Sequence, residues 1–310
     1  MKSTPLFLVG TRFQAVMSWA VVQRFRLTAY DLIVYTSEHN SPGENDRAFA
    51  TLIGGARKVL YIDRAESKLR FVQTLNRAFG PGSRLVLTAW INDPFVLSLF
   101  RLRPGLRLQT FDEGGYNIAP TGPFFLPVSQ TLRSLRDVLV RVFVRTLFPK
   151  GCLAFSRARS ECHFTAFKPS QNFMADRAVQ VHIPWEDFAE PEELVQFEGT
   201  RSIMVLPCFK DFRGSACVRD RIVSKARECD LIVRHPRDAI LSDLTSELLS
   251  SPIEAIACAL AVQTPITLVH YGSTVGLTLQ RMTNIDLIDL SDAASNDLDI
   301  SIMSGKHARP

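Results

Sequence analysis

The amino-acid sequence predicts an α/β protein of two doubly wound halves, and three observations carry that reading. Short, nearly continuous apolar runs alternate with segments of helical periodicity, the order of a parallel sheet covered on both faces. The alternation runs once as far as Phe111 and restarts after about Gly199. The 310 residues, 46% of them hydrophobic, suffice for two cores.

Leu6–Val9 reads as the first strand and Phe13–Phe25 as the helix after it. Leu32–Tyr35 and Lys58–Ile62 are the next strands, Lys68–Ala78 is helical, and strands at Leu85–Thr88 and Arg107–Phe111 complete the first set. The second set opens with a strand at Ser202–Leu206, a helix at Val218–Arg227 and a strand at Asp230–Val233. A helix at Glu254–Ala261 follows, with Pro252 near its start, then a strand at Ile266–His270, a helix at Val275–Met282 and a strand at Ile285–Ile288. The stretch from Pro149 to about Pro191 joins the sets and mixes prolines, serines, arginines and scattered aromatics. The boundary is expected near its end, giving domains 1–190 and 191–310. The last 20 or so residues are polar and expected to fray.

A net charge of +5 favours anionic partners such as nucleotides, acidic sugars or an anionic membrane face. It is too small and too dispersed to point to DNA, and no nucleic-acid partner is expected. The six cysteines form no CxxC pair, which excludes a zinc ribbon and a thioredoxin motif; they read as reduced thiols of a cytosolic protein. The N-terminal apolar run is too short for a signal peptide, and no stretch approaches ~18 uninterrupted apolar residues. Membrane contact is therefore expected to be peripheral, and the location cytoplasmic.

Ligands of open α/β sheets sit beyond the carboxyl ends of the strands, and three polar motifs fall at such ends. Asp112-Glu113-Gly114-Gly115-Tyr116-Asn117 follows the Arg107–Phe111 strand. A carboxylate held there suits general-base chemistry, since a sugar hydroxyl is a poor nucleophile until its proton is accepted; the competing reading is a polar turn with a capping Asp. Arg234-His235-Pro236-Arg237-Asp238 ends the Asp230–Val233 strand. Its His can donate to a phosphate near neutral pH and its arginines can add to an anion site, against an ordinary charged loop. His270-Tyr271-Gly272-Ser273-Thr274-Val275-Gly276 links a strand to a helix. Backbone amides and hydroxyls there suit phosphate, or simple capping by Ser273 or Thr274. No Asp-x-Asp clamp stands at a strand end, and neither a GxGxxG nor a Walker sequence occurs, so no metal site is assigned.

Taken together the motifs resemble those of bacterial sialyltransferases, especially the lipooligosaccharide sialyltransferase family. Asp112-Glu113-Gly114, His235-Pro236 and Ser273-Thr274 look like its Asp-Asp/Glu-Gly, His-Pro and Ser-Ser/Thr motifs, in the same order. Leu6 to Gln14 is similar to the family's first strand and Thr-Pro-Phe-Gln turn, with Arg12 in place of the Pro. Cys162-His163-Phe164-Thr165-Ala166-Phe167 is similar to its His-Tyr-Thr-Ile-Phe segment.

The resemblance runs from about Pro5 to Leu290. It implies two Rossmann-like domains facing each other across a cleft (GT-B type), an acceptor side in the N-terminal domain and a CMP-sugar site in the C-terminal one. It further implies an inverting, metal-independent transfer of sialic acid from CMP-sialic acid to a galactose-type glycan acceptor, with no cofactor. A lipid-linked acceptor and a homodimer are also consistent with it. Asp112 would be the base, His235 would stabilise the departing phosphate, and Ser273 and Thr274, with Gly272, Pro236 and Arg234 beside them, would hold it. Glu254 would bind the ribose hydroxyls, or simply favour its helix dipole. Asp211, after the Ser202–Leu206 strand, is a rival base. A transferase for another CMP-activated acidic sugar such as Kdo, and a nucleotide-sugar-binding protein without catalysis, are the alternatives. Finally, Leu132–Phe148 mixes Val, Leu and Phe with Arg133, Arg136, Arg141 and Arg145; it reads as a packing or dimer helix with solvated arginines, or as a helix lying on anionic lipid.

Overall fold

The computed structural model describes residues 4–36, 46–63, 68–80, 84–118, 124–125, 135–209, 216–235, 244–280 and 282–291. The chain divides into two compact units, Met1–Pro184 and Trp185–Pro310.

The first unit carries β1 (Leu6–Val9), α1 (Arg12–Phe25), β2 (Asp31–Thr36), α2 (Arg47–Gly54), β3 (Lys58–Asp63), α3 (Lys68–Phe79), β4 (Leu85–Thr88), α4 (Pro94–Leu102), β5 (Arg107–Phe111), α5 (Leu135–Leu147), α6 (Cys152–Arg159), β6 (Ser160–Thr165) and β7 (Ala178–Gln180). Its seven strands lie in the order β3-β2-β1-β4-β5-β6-β7, all parallel. β1 and β2 are buried along almost their whole length, as a sheet covered on both faces requires. Leu8, Ile33, Phe79, Val86, Phe100 and Leu108 centre the core; each such side chain contributes about 1.5–3 kcal/mol by leaving water.

The second unit carries α7 (Pro191–Gln196), β8 (Ser202–Val205), α8 (Ala216–Ala226), β9 (Leu231–Val233), α9 (Ile253–Ala261), β10 (Ile266–His270), α10 (Thr274–Leu279) and β11 (Ile285–Asp289). Its strands lie in the order β11-β10-β8-β9, again all parallel. A single parallel bridge, Val233 to Glu247, extends the sheet beyond β9. With it the order becomes that of a Rossmann half, in which the chain leaves β8 to one side and returns to place β10 on the other. Ile203, Leu268, Ile256, Leu260 and Leu279 form the core beneath.

Two expectations need correction. The helices α2 and α4 are absent from the sequence reading, although each has a sequence signal: Asp46 and Asp93 cap them by accepting from two backbone amides apiece, and Pro94 opens α4. The stretch from Pro149 to Pro191 is also more than a joining region, because it supplies α6, β6 and β7 to the first sheet. β6 escapes an apolar pattern because three of its four buried side chains are polar: Ser160, His163 and Thr165 are fully enclosed beside Phe164.

Candidate functional site

Two strand-end regions hold the residues singled out above. The first follows β5. Thr110 and Asp112 lie two apart and so share one face of the strand. Leu108 pairs with Ser160 of β6 but Thr110 pairs with His163, so β6 carries one extra residue there. Such a bulge re-aims side chains, and here it sets His163 beside Thr110 and Asp112. His163 Nε2 lies 3.0 Å from Asp112 Oδ1, and Asn172 Nδ2 donates to the same oxygen at 2.8 Å. The Ala166 amide donates to Oδ2 at 2.9 Å. The other ring nitrogen of His163, Nδ1, lies 2.9 Å from the Thr110 hydroxyl. Thr110 and Ser160 hydroxyls meet at 3.0 Å, and Ser160 donates on to the Cys162 carbonyl at 2.7 Å. Asp112, His163, Thr110 and Ser160 are 0% exposed. This is a closed polar network with both carboxylate oxygens occupied by protein donors.

The second region is the carboxyl edge of the β9-β8-β10 run. Val205 is the register partner of both Val233 and His270, so the three strands end level. His235 and Arg234 follow β9 directly, half-buried, and the Arg234 amide donates to the Glu247 carbonyl at 3.0 Å. Gly272, Ser273 and Thr274 follow β10. Adjacent strands lie about 4.8 Å apart, so the ends of β9 and β10 flank that of β8 at roughly 10 Å from each other. The reversal of strand order between β8 and β10 is the topological switch point, where ligands of open α/β sheets bind. Asp211 falls in the segment between β8 and α8, and it and Pro236 lie outside the described residues.

The turn after β10 is tightly built. Gly272 adopts φ 55°, a left-handed conformation that glycine takes without strain. A methyl group on Gly276 would lie 2.1 Å from His270 Nε2, so the imidazole rests directly on the first turn of α10. The Gly272 amide donates to Asp289 Oδ1 at 2.9 Å, as does that of Ser291. Burial pushes the Asp289 carboxyl up, but these amides, the Ser291 hydroxyl and His270 outweigh it and hold it below its ordinary value. Ser273 caps α10 by accepting from the Val275 amide at 3.4 Å, which leaves its hydroxyl hydrogen to donate. Several backbone amides of this turn are thus committed to protein acceptors, and α10 spans only six residues. A ligand anion here would meet hydroxyls more than helix dipole.

Glu254, in the first turn of α9, is 8% exposed and accepts from the Thr278 hydroxyl at 3.3 Å, tying α9 to α10. Burial, with Glu254 and Glu186 nearby, pushes the Cys258 thiol up to about 12. The loop before α9 is pinned by Glu193, which accepts from Ser250 and Ser251 at 2.7–3.0 Å.

The structure therefore gathers Arg234, His235, Gly272, Ser273, Thr274 and Glu254 in one unit, whereas Asp112 belongs to the sheet of the other. His163 and Asn172, which bond Asp112, and Thr110, which bonds His163, were missed as a network; the signal available was the polar run Ser160-Glu161-Cys162-His163. Among the described residues no cluster of His, Cys, Asp and Glu is placed to hold a metal ion. A groove of about 660 Å³ lies between α3 and α4, lined by Asn76, Arg77, Leu102 and Arg103 among others. It sits where those helices end, and connecting helices run antiparallel to the strands, so it opens at the sheet edge opposite the strands' carboxyl ends.

No protein-family model and no curated protein matches the chain. Solved structures do. A Listeria monocytogenes protein assigned as a UDP-N-acetylglucosamine 2-epimerase is 12% identical with a TM-score of 0.52, over 96% of this chain and 88% of that one. Arabidopsis thaliana UGT89C1 complexed with UDP is 10% identical with a TM-score of 0.49, over 97% and 91%. CalG4, the calicheamicin glycosyltransferase, is 11% identical with a TM-score of 0.48, over 96% and 84%. The likeness to the Listeria protein, at 12% identity, establishes the fold alone: two Rossmann-like units of the GT-B type.

Proposed function

We propose that this chain is a glycosyltransferase that transfers an acidic sugar, sialic acid, from its CMP-activated form to a glycan hydroxyl with inversion and without a metal. The observation that carries the reading is the level carboxyl edge of β9, β8 and β10, with His235 directly after β9 and Ser273 and Thr274 shortly after β10. The order of these motifs, shared with the lipooligosaccharide sialyltransferases, supports the CMP donor.

Of the two carboxylates, Asp211 takes the role of base in this proposal. Asp112 is fully enclosed and both its oxygens already accept from protein donors, so it is a positioning residue. In the reaction the acceptor hydroxyl gives its proton to Asp211 as its oxygen bonds to the anomeric carbon. The bond from that carbon to the phosphate oxygen breaks on the opposite face, its electron pair leaving with CMP. His235 donates to the departing phosphate, and the Ser273 and Thr274 hydroxyls hydrogen-bond to it. Glu254 holds the ribose hydroxyls.

A second reading is a UDP-sugar enzyme, including an epimerase, favoured by the UDP-N-acetylglucosamine named for the Listeria structure. Incubation of the full chain with CMP-sialic acid, CMP-Kdo and UDP-N-acetylglucosamine, with an acceptor panel, separates the readings. Release of CMP from CMP-sialic acid, dependent on a galactoside, is the expected result. Turnover of UDP-N-acetylglucosamine alone would replace the proposal with the second reading.

A further inference from the structure

We propose that α5 docks the first unit onto a bilayer of anionic lipid. The helix has two apolar faces. One points inward, with Val144 and Leu147 packed against the core; Phe143, 38% exposed, stacks on Phe95 with ring centroids 6.0 Å apart. On the opposite side Val138, Leu139 and Val142 are 40%, 63% and 57% exposed. Their spacing of three to four residues makes them a continuous outer stripe. A water-facing surface of a core helix ordinarily carries polar residues there, so this stripe is a surface made to be covered.

The flanking charges say what covers it. Arg141 and Arg145 are exposed beside the stripe. α4 packs on both α5 and α3, and the three helices carry seven basic residues in their sequences against one acidic residue, Asp137. An apolar stripe bordered by arginines matches a lipid surface: the aliphatic groups enter the acyl boundary while the guanidinium groups stay with headgroup phosphates. A two-fold pairing with a second copy sets each patch against itself, bringing arginines against arginines with little carboxylate to answer them. The inference is independent of the reaction proposed above.

The test is co-sedimentation of the full chain with phosphatidylcholine vesicles made with and without phosphatidylglycerol. The expected result is binding to the phosphatidylglycerol vesicles alone, reversed by salt as a surface charge attraction must be. Leu139→Glu with Val142→Glu should abolish it. Arg141→Gln with Arg145→Gln should weaken it about 30-fold, on the usual scale for two basic residues at an anionic surface. Both pairs are solvent-facing and should leave the circular dichroism spectrum and Tm unchanged. Absence of binding at low salt overturns the proposal. So does a Leu139→Glu, Val142→Glu protein that still binds vesicles but has changed from dimer to monomer in light scattering, which would assign the stripe to self-association.

Discussion

The turn after β5 and the level ends of β9, β8 and β10 use similar residue types in opposite ways. After β5 an Asp, a His, an Asn and two hydroxyls satisfy one another inside the protein, and none of Asp112, His163, Thr110 and Ser160 reaches solvent. After β9 and β10 the His, Ser and Thr are half-buried, and Ser273 keeps a hydroxyl hydrogen to donate. A polar group fully paired at 0% exposure fixes a fold; the same kind of group, half-buried at a strand end, is within reach of a ligand. Position at a strand end is thus necessary for a ligand group and insufficient on its own.

The strongest challenge to that contrast is Asp112→Ala. It removes the acceptor of three donors in a closed network, and leaving such a buried network broken costs about 3–5 kcal/mol. Denaturant unfolding with hydrogen exchange should place the loss around β5 and β6. A variant of native stability that has lost turnover would instead return Asp112 to the role of base. Next in size, His235→Ala and Asp211→Asn should each lower turnover at least ~100-fold, about 2.7 kcal/mol in the barrier. The Tm of His235→Ala should hardly move, as expected for a residue outside the core. Near-normal turnover in His235→Ala would remove the phosphate-end assignment. The smallest effect is at Gly276→Ala, whose new methyl must displace the His270 ring. Overpacking of this kind costs about 1–3 kcal/mol, read as a lower unfolding midpoint for the second unit. An unchanged midpoint would mean that the turn after β10 is looser than its geometry implies.

Much of the frame is legible from residues alone. Leu6–Val9, Leu85–Thr88, Arg107–Phe111 and Ile266–His270 form strands with the bounds that their apolar runs predict. Leu6–Val9 shows the reason most plainly, being buried at every position and apolar throughout, as a strand covered on both faces favours. β6 is illegible for the converse reason, since three of its four buried positions hold Ser160, His163 and Thr165, whose burial is stable only because partners from β5 and the loop before β7 meet them. The loop carrying Asn172 donates to Asp112 across 60 residues of chain, and no local pattern encodes such a meeting.

The sequence by itself determined the α/β class, the alternation of strands and helices, and the placing of polar motifs just past strand ends, because hydrophobic period and capping chemistry are local properties. Only the tertiary structure decided which of those motifs is sealed. Exposure depends on register, on a one-residue bulge in β6, and on which distant side chains arrive to pair with a carboxylate. Those are sums over contacts between segments far apart in the chain.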